Sequence, residues 1–158
     1  MYLYLLRDYG KARNILNTII DLGFPAYATW RPFCLSYLFD GQYALAEEYA
    51  RKDYEVSGGK GHGAANLIIS LAASGKKEEA EELYQSVRQT LPIPEFPEFL
   101  HVKTNAWLGR IDDAFEYLDK AITERSFWLF TLKVSPEWDP LRSDPRFQKV
   151  LERMKFPK

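Results

Sequence analysis

The residues best suited to chemistry stand together at Gly58-Gly59-Lys60-Gly61-His62-Gly63. Glycines that admit close backbone approach, a lysine and a helix start are the parts of a phosphate cradle. The phosphate loop of nucleotide hydrolases, however, needs Gly-Lys followed by Ser or Thr after a strand. Here Lys60 is followed by Gly61 and no strand pattern precedes it, so the stretch reads as a flexible joint between helices. The histidines, His62 and His101, and the single cysteine, Cys34, are too few for a zinc-spaced cluster. Cys34 with a histidine would be a nucleophile and its base, but Cys34 occupies a small-residue packing position. His101 and Asn105 lie one helical turn apart and are expected to hydrogen-bond each other. Glu78, Glu79, Glu81 and Glu82 stand beside Lys76 and Lys77 and read as a solvated helix face. Pro94-Glu95-Phe96-Pro97 matches PxxP in letters, but at a place where stopping one helix and starting the next explains the prolines. No catalytic residue, metal ligand or cofactor follows from these groups, and the chain reads as a binding protein rather than an enzyme.

What positions these residues is a period. Alanine recurs at Ala12, Ala46, Ala80 and Ala114, each step 34 residues. Glycine keeps the same frame at Gly41, Gly75 and Gly109. A fixed period of this size means stacked copies of one helical unit. The 158 residues are 46% hydrophobic and 27% charged, enough to bury a core. A net charge of −1 leaves no electrostatic footprint for nucleic acid or anionic lipid. A lone cysteine points to a reducing, cytoplasmic setting. No apolar run approaches the roughly 18 residues of a membrane span. The leading MYLYLL is too short for a signal-peptide core, and Arg7 and Lys11 lie on its wrong side.

In the unit 27–60, Trp30, Phe33, Cys34 and Tyr37 share one helical face, Asp40-Gly41-Gln42 turns the chain, and Tyr43, Ala46, Ala50 and Tyr54 answer from a second helix. The unit 61–94 repeats this with Ala64, Leu67, Ile68 and Leu71, then Ala80, Leu83, Tyr84 and Val87. The unit 95–126 has Phe99, Val102 and Ala106, a turn at Gly109, then Ala114, Leu118, Ala121 and Ile122. In the partial unit 1–26 only Met1 to Leu6 remain of the first helix, which leaves an apolar face bare. Removal of upstream sequence is the expected reason; a second copy covering Tyr2, Leu5, Leu6 and Ile15 is the other. Alanine suits a close helix crossing without the helix cost of glycine.

The 34-residue frame, Trp30, Cys34, Gly41-x-Tyr43, Ala46 and Pro92 together resemble the tetratricopeptide repeat. The likeness covers residues 1–125, with departures at Arg7, Asp53, His101 and Asn105. It implies an all-α fold, an α-solenoid in which antiparallel helix hairpins form a right-handed superhelix, closed by a C-terminal capping helix. Residues 127–158 leave the frame and form the capping segment. Ser135-Pro136, Asp139-Pro140 and Asp144-Pro145 each read as an N-cap followed by proline, with a last helix from Pro145 to about Met154. This tail is similar to the endings of tetratricopeptide arrays in bacterial regulators. There the array often follows a DNA-binding, cyclase or kinase domain.

Such an array binds with its concave face. The frame puts Arg31, Leu35, Leu38, Phe39, His62, Asn66, Ile69, Ala73, Phe99, Lys103 and Trp107 there. This set is apolar and aromatic with a few cations, suited to a peptide or helix with apolar anchors. Part of it is open to covering by the tail. Arg31 and Asn66 match two positions of the family's carboxylate clamp for chaperone tails, but Leu35, Phe96 and Leu100 fill the others, so no clamp is expected. The expected function is a protein–protein interaction scaffold with a protein or peptide partner, as the docking or sensory segment of a larger bacterial regulator. The rivals are a homo-oligomerisation module, such as a homodimer, with no foreign ligand and an enzyme built on the glycine joint and His62.

Overall fold

The computed structural model describes residues 7–155. The helix remnant expected over Met1 to Leu6 lies outside them, and with it Tyr2, Leu5 and Leu6. The described residues are helical, with no strand among them. Helix α1 runs Tyr9–Asp21, α2 Tyr27–Leu38, α3 Tyr43–Val56, α4 Gly61–Ala73, α5 Lys77–Thr90, α6 Glu98–Trp107 and α7 Ile111–Thr123. Two 3-10 turns, Phe127–Thr131 and Pro136–Leu141, lead to α8, Pro145–Met154.

The 34-residue frame is visible in the helix ends. At the ends of α2, α4 and α6 the same bond recurs: Gln42 N–H donates to Tyr37, Lys76 to Leu71 and Arg110 to Asn105, each at 2.9 Å. This closure requires a left-handed residue just past the helix. Gly41, Gly75 and Gly109 supply it with φ of 75°, 82° and 81°, and in the partial unit Arg7 takes the same conformation at φ 60°. The turns fold α2 onto α3, α4 onto α5 and α6 onto α7. Ala46, Ala80 and Ala114 are fully buried where those pairs pack. Successive hairpins also stack, α2 on α4 and α4 on α6, with α3 filling in against α4. Each apolar face thus meets a neighbour, which is how repeated thin layers build a continuous core.

Two departures shape α6 and its surroundings. First, α6 is 10 residues long against 13 for α4. Pro92, Pro94 and Pro97 cannot continue a helix, so the joint forms a turn on the Pro92 carbonyl, which accepts from Glu95 and Phe96 N–H. Second, the polar pair in α6 is satisfied differently from expectation. Asn105 Nδ2 donates to the His101 carbonyl at 2.9 Å and to Tyr84 Oη at 2.7 Å, and Tyr84 Oη lies 2.9 Å from His101 Nδ1. The two side chains share Tyr84 rather than bonding each other. A single hydroxyl can accept from one and donate to the other. Burial holds His101 neutral, its pKa lowered to about 4, which suits that acceptor role.

The tail is packed structure. Ser135 caps the second 3-10 turn by accepting from Glu137 N–H, and Asp144 caps α8 by accepting from Arg146 N–H at 2.8 Å. Asp139-Pro140, expected as a third start, lies within the second turn instead. Its carboxylate is taken by Arg142 and Arg7. Leu129, Leu132, Trp138, Leu141 and Phe147 join Val102, Leu118 and Ala121 in one buried cluster. The tail therefore seals the bare side of α6 and α7.

Candidate functional site

The glycine joint is explained by packing. At Gly63 a Cβ would overlap the Ser57 side chain and sit 3.0 Å from the Asp53 carbonyl, so only glycine lets α4 cross the end of α3. Gly61 N–H donates to the Glu95 carbonyl at 2.9 Å, and Lys60 Nζ pairs with the Glu95 carboxylate at 3.0 Å. The joint holds the next joint. Cys34 is buried against Ser70, its Sγ 3.6 Å from Oγ, and burial pushes its thiol up to about 12. A thiol so protected is a packing group. Among the described residues no group of three or more His, Cys, Asp or Glu converges on a metal position. No helix among them is long and apolar enough to cross a membrane.

The residues expected to line an open groove lie mostly beneath other groups. Leu35, Leu38, Asn66, Ile69, Phe99 and Lys103 are buried, and Arg31, Phe39, His62, Ala73 and Trp107 are half-buried. The tail is the main cause. Trp128 stacks on Phe99 at 5.6 Å and meets His62 edge-on at 5.2 Å. The Trp107 indole N–H donates to the Glu137 carbonyl at 3.2 Å. Phe39 and Trp107 rings approach to 6.1 Å, above Ile69 and Ala73. The Arg7–Asp139 ion pair at 2.8 Å ties the other end of the array to the same tail.

The centre of this covering is a buried ion pair. Lys103 Nζ lies 2.8 Å from Glu137 Oε1, with side chains 2% and 8% exposed. Ser135 Oγ donates to Glu137 Oε2 at 2.9 Å. The Lys103 ammonium also sits over the rings of Phe99 and Trp138. Burial pushes the Glu137 carboxyl up, but the Lys103 charge and the hydrogen bonds from Lys103 and Ser135 together hold it below the usual carboxylate range. Removing either partner would strand the other charge in the interior.

Beside this pair a cleft of about 410 Å³ remains. Leu16, Tyr27, Pro32, Leu35 and Trp128 form its apolar walls, and Arg31 and Asp53 add charge. Arg31 Nη2 donates to His62 Nδ1 at 3.0 Å. Burial, with the nearby Arg31 and Lys103 charges, lowers the His62 pKa to about 2, so the ring accepts rather than repels. Asp53 is raised by burial, partly offset by Arg31 and by an Asn66 hydrogen bond. Among the described residues Arg31 has no carboxylate within ion-pair distance. Phe127 and Phe130, both exposed, pack around Trp128, and Tyr27 in the lining is exposed as well.

Of the expected groove residues, the structure brings Arg31, Leu35 and Lys103 together in this cleft. Sequence reasoning missed Leu16, Tyr27, Thr131 and Glu137. Its one usable signal was Lys103, a cation at the frame position that Leu35 and Ile69 hold in the earlier units. Comparison with known proteins found no match to this chain among family models, curated proteins or solved structures.

Proposed function

We propose that this chain is a tetratricopeptide-like α-solenoid that works as a protein–protein interaction module. It takes a short partner segment into the concave cleft between α1, α2 and the tail. The observation that carries the reading is the cleft itself. The tail fills part of the concave side with Trp138 and Glu137, yet about 410 Å³ stays open beside the Lys103–Glu137 pair, with apolar walls around Arg31 and with Asp53 in the lining. Pockets that take ligands combine apolar walls with a few convergent polar groups. The stacked hairpins and in-phase helix ends support the family likeness, and that likeness supports a docking or sensory role within a larger bacterial regulator, in the cytoplasm.

A displayed random-peptide library tests it. Peptides enriched on the wild-type protein are expected to lose binding to Ala28→Trp, whose exposed side chain would fill the cleft, while circular dichroism stays unchanged. Failure to enrich, or peptides indifferent to Ala28→Trp, contradicts the reading.

Self-association is supported by a different observation. Ile15, Leu22, Phe24 and Tyr27, from α1 to the start of α2, are all exposed, and large exposed apolar side chains of this kind mark interfaces. Sedimentation across concentration separates the two: a dimer that Ile15→Glu dissolves, without peptide binding, favours self-association.

A further inference from the structure

The concave side of this protein carries its own example of how it holds a segment of chain. At the α6 end, the sequence Ser135-Pro136-Glu137-Trp138 lies inside it. The Glu137 carboxylate rests on Lys103, the Glu137 carbonyl accepts from the Trp107 indole, and Trp138 packs against the Lys103 stem and ammonium. The occupant is an acidic side chain followed by an aromatic one, seated on a cation between aromatic walls. At the α2 end the same parts recur without an occupant. Arg31 is the cation, Tyr27 and Trp128 are aromatic walls, and Leu16, Pro32 and Leu35 are the floor; the Lys103–Glu137 pair, neutral as a unit, closes the inner edge, and Asp53, whose carboxyl burial pushes toward the protonated form, also lines the cleft.

Two further features favour a peptide over a bare anion. Pro32 has no N–H, so the Ala28 carbonyl lacks its i+4 helical donor; Ala28 and Pro32 both line the cleft. A backbone N–H of a bound segment would complete that carbonyl. The Arg31 fork offers five donors, and the contact to His62 uses Nη2 alone. Since a guanidinium prefers paired recognition of a carboxylate, its free edge suits an acidic side chain.

We propose that the cleft binds a short internal acidic–aromatic segment of a partner protein, its Asp or Glu side chain on Arg31 and its aromatic neighbour between Tyr27 and Trp128. This rests on the docking role given above and adds the chemistry of the ligand. The carboxylate is that of a side chain within the segment, not a chain end.

The test uses blocked pentapeptides, acetyl-Ala-Trp-Glu-Trp-Ala-amide and its Glu→Gln counterpart, with affinities read from amide shifts in heteronuclear NMR of the labelled chain. Hydrogen bonds to charged groups predict a preference for the Glu peptide of about 10-fold or more. Arg31→Gln should abolish the preference while leaving the affinity of the Gln peptide and the thermal melting point unchanged. Arg31→Lys should restore part of it. Equal affinity of the two peptides for the wild-type chain overturns the proposal, as does a preference that survives Arg31→Gln. A requirement for a free terminal carboxylate, tested with the unblocked Gln peptide, overturns it too. So do shifts confined to Glu137 and Trp138, which mean displacement of the tail. If Ala28→Trp abolishes binding of both peptides but they bind the wild type equally, docking stands and the acidic preference falls.

Discussion

Two cations of the array are treated in opposite ways. Arg31 on α2 and Lys103 on α6 occupy frame positions one helical turn apart. In the 34-residue frame Arg31 corresponds to Phe99, and Lys103 to Leu35 and Ile69. The first full unit thus has its cation one turn nearer the helix start, above an apolar floor, and the last unit has the order reversed. At Lys103 the tail delivers Glu137 and Trp138, and the charge is buried and paired. At Arg31 the tail delivers Trp128, which walls the guanidinium without neutralising it. The difference teaches where this fold spends its charges. One cation is paired and fastens the tail, and the other lines the same cleft with no carboxylate in ion-pair distance.

The strongest way to break this comparison is Trp138→Ala. Removing a fully buried indole should cost about 3–5 kcal/mol in urea unfolding, whereas truncating the half-buried Trp128 should cost clearly less. Equal costs would mean that the tail grips both ends alike. Next, Lys103→Met leaves Glu137 buried without its partner and should cost about 3–5 kcal/mol. Adding Glu137→Leu should recover most of that loss, since an apolar pair of similar volume needs no compensation. Arg31→Gln in the same assay should stay within about 1 kcal/mol of wild type, as expected for a charge with no ion-pair partner.

Acid sharpens the comparison. The His62 and His101 pKa values are depressed from 6.5 to about 2 and about 4. Each histidine is neutral in the fold where the unfolded chain binds a proton. Their stabilisation is complete above pH 6.5 and is lost as pH falls below it. The loss runs at about 1.4 kcal/mol per pH unit for each histidine, down to about pH 4 for His101 and further for His62. Chemical denaturation from pH 7 to 4.5 should show this slope, and His62→Gln with His101→Gln should remove most of it. The smallest effect belongs to the exposed tie between array and tail. Arg7→Ala removes the Arg7–Asp139 pair but relieves a left-handed arginine only in part, and should change stability by no more than about 1 kcal/mol.

The array was legible in the sequence because backbone closure is written in residue types. Gly41, Gly75 and Gly109 mark the turns, and Ala46, Ala80 and Ala114 mark the hairpin crossings, since few side chains fit either place. The last helix, Pro145–Met154, was legible from Asp144-Pro145 for the same reason. The cleft was not. Groove residues follow from the frame only if nothing else enters the groove, and the tail has no frame. Glu137 reaching Lys103 is a contact across 34 residues that no local pattern announces. Asn105 does bond His101, but at its backbone carbonyl, and the two side chains share the Tyr84 hydroxyl from the preceding unit, which no spacing within α6 announces.

The tail packs into the helical array as part of its core rather than as an appendage to it. Amide hydrogen exchange reads this directly. The N–H groups of Leu132, Ser135 and Trp138 donate to Leu129, Thr131 and Ser135 within the tail. The account predicts that they exchange as slowly as the amides in the middle of α6, and that Lys103→Met accelerates the tail more than α6. Exchange of these three amides at unfolded rates while α6 stays protected would contradict it.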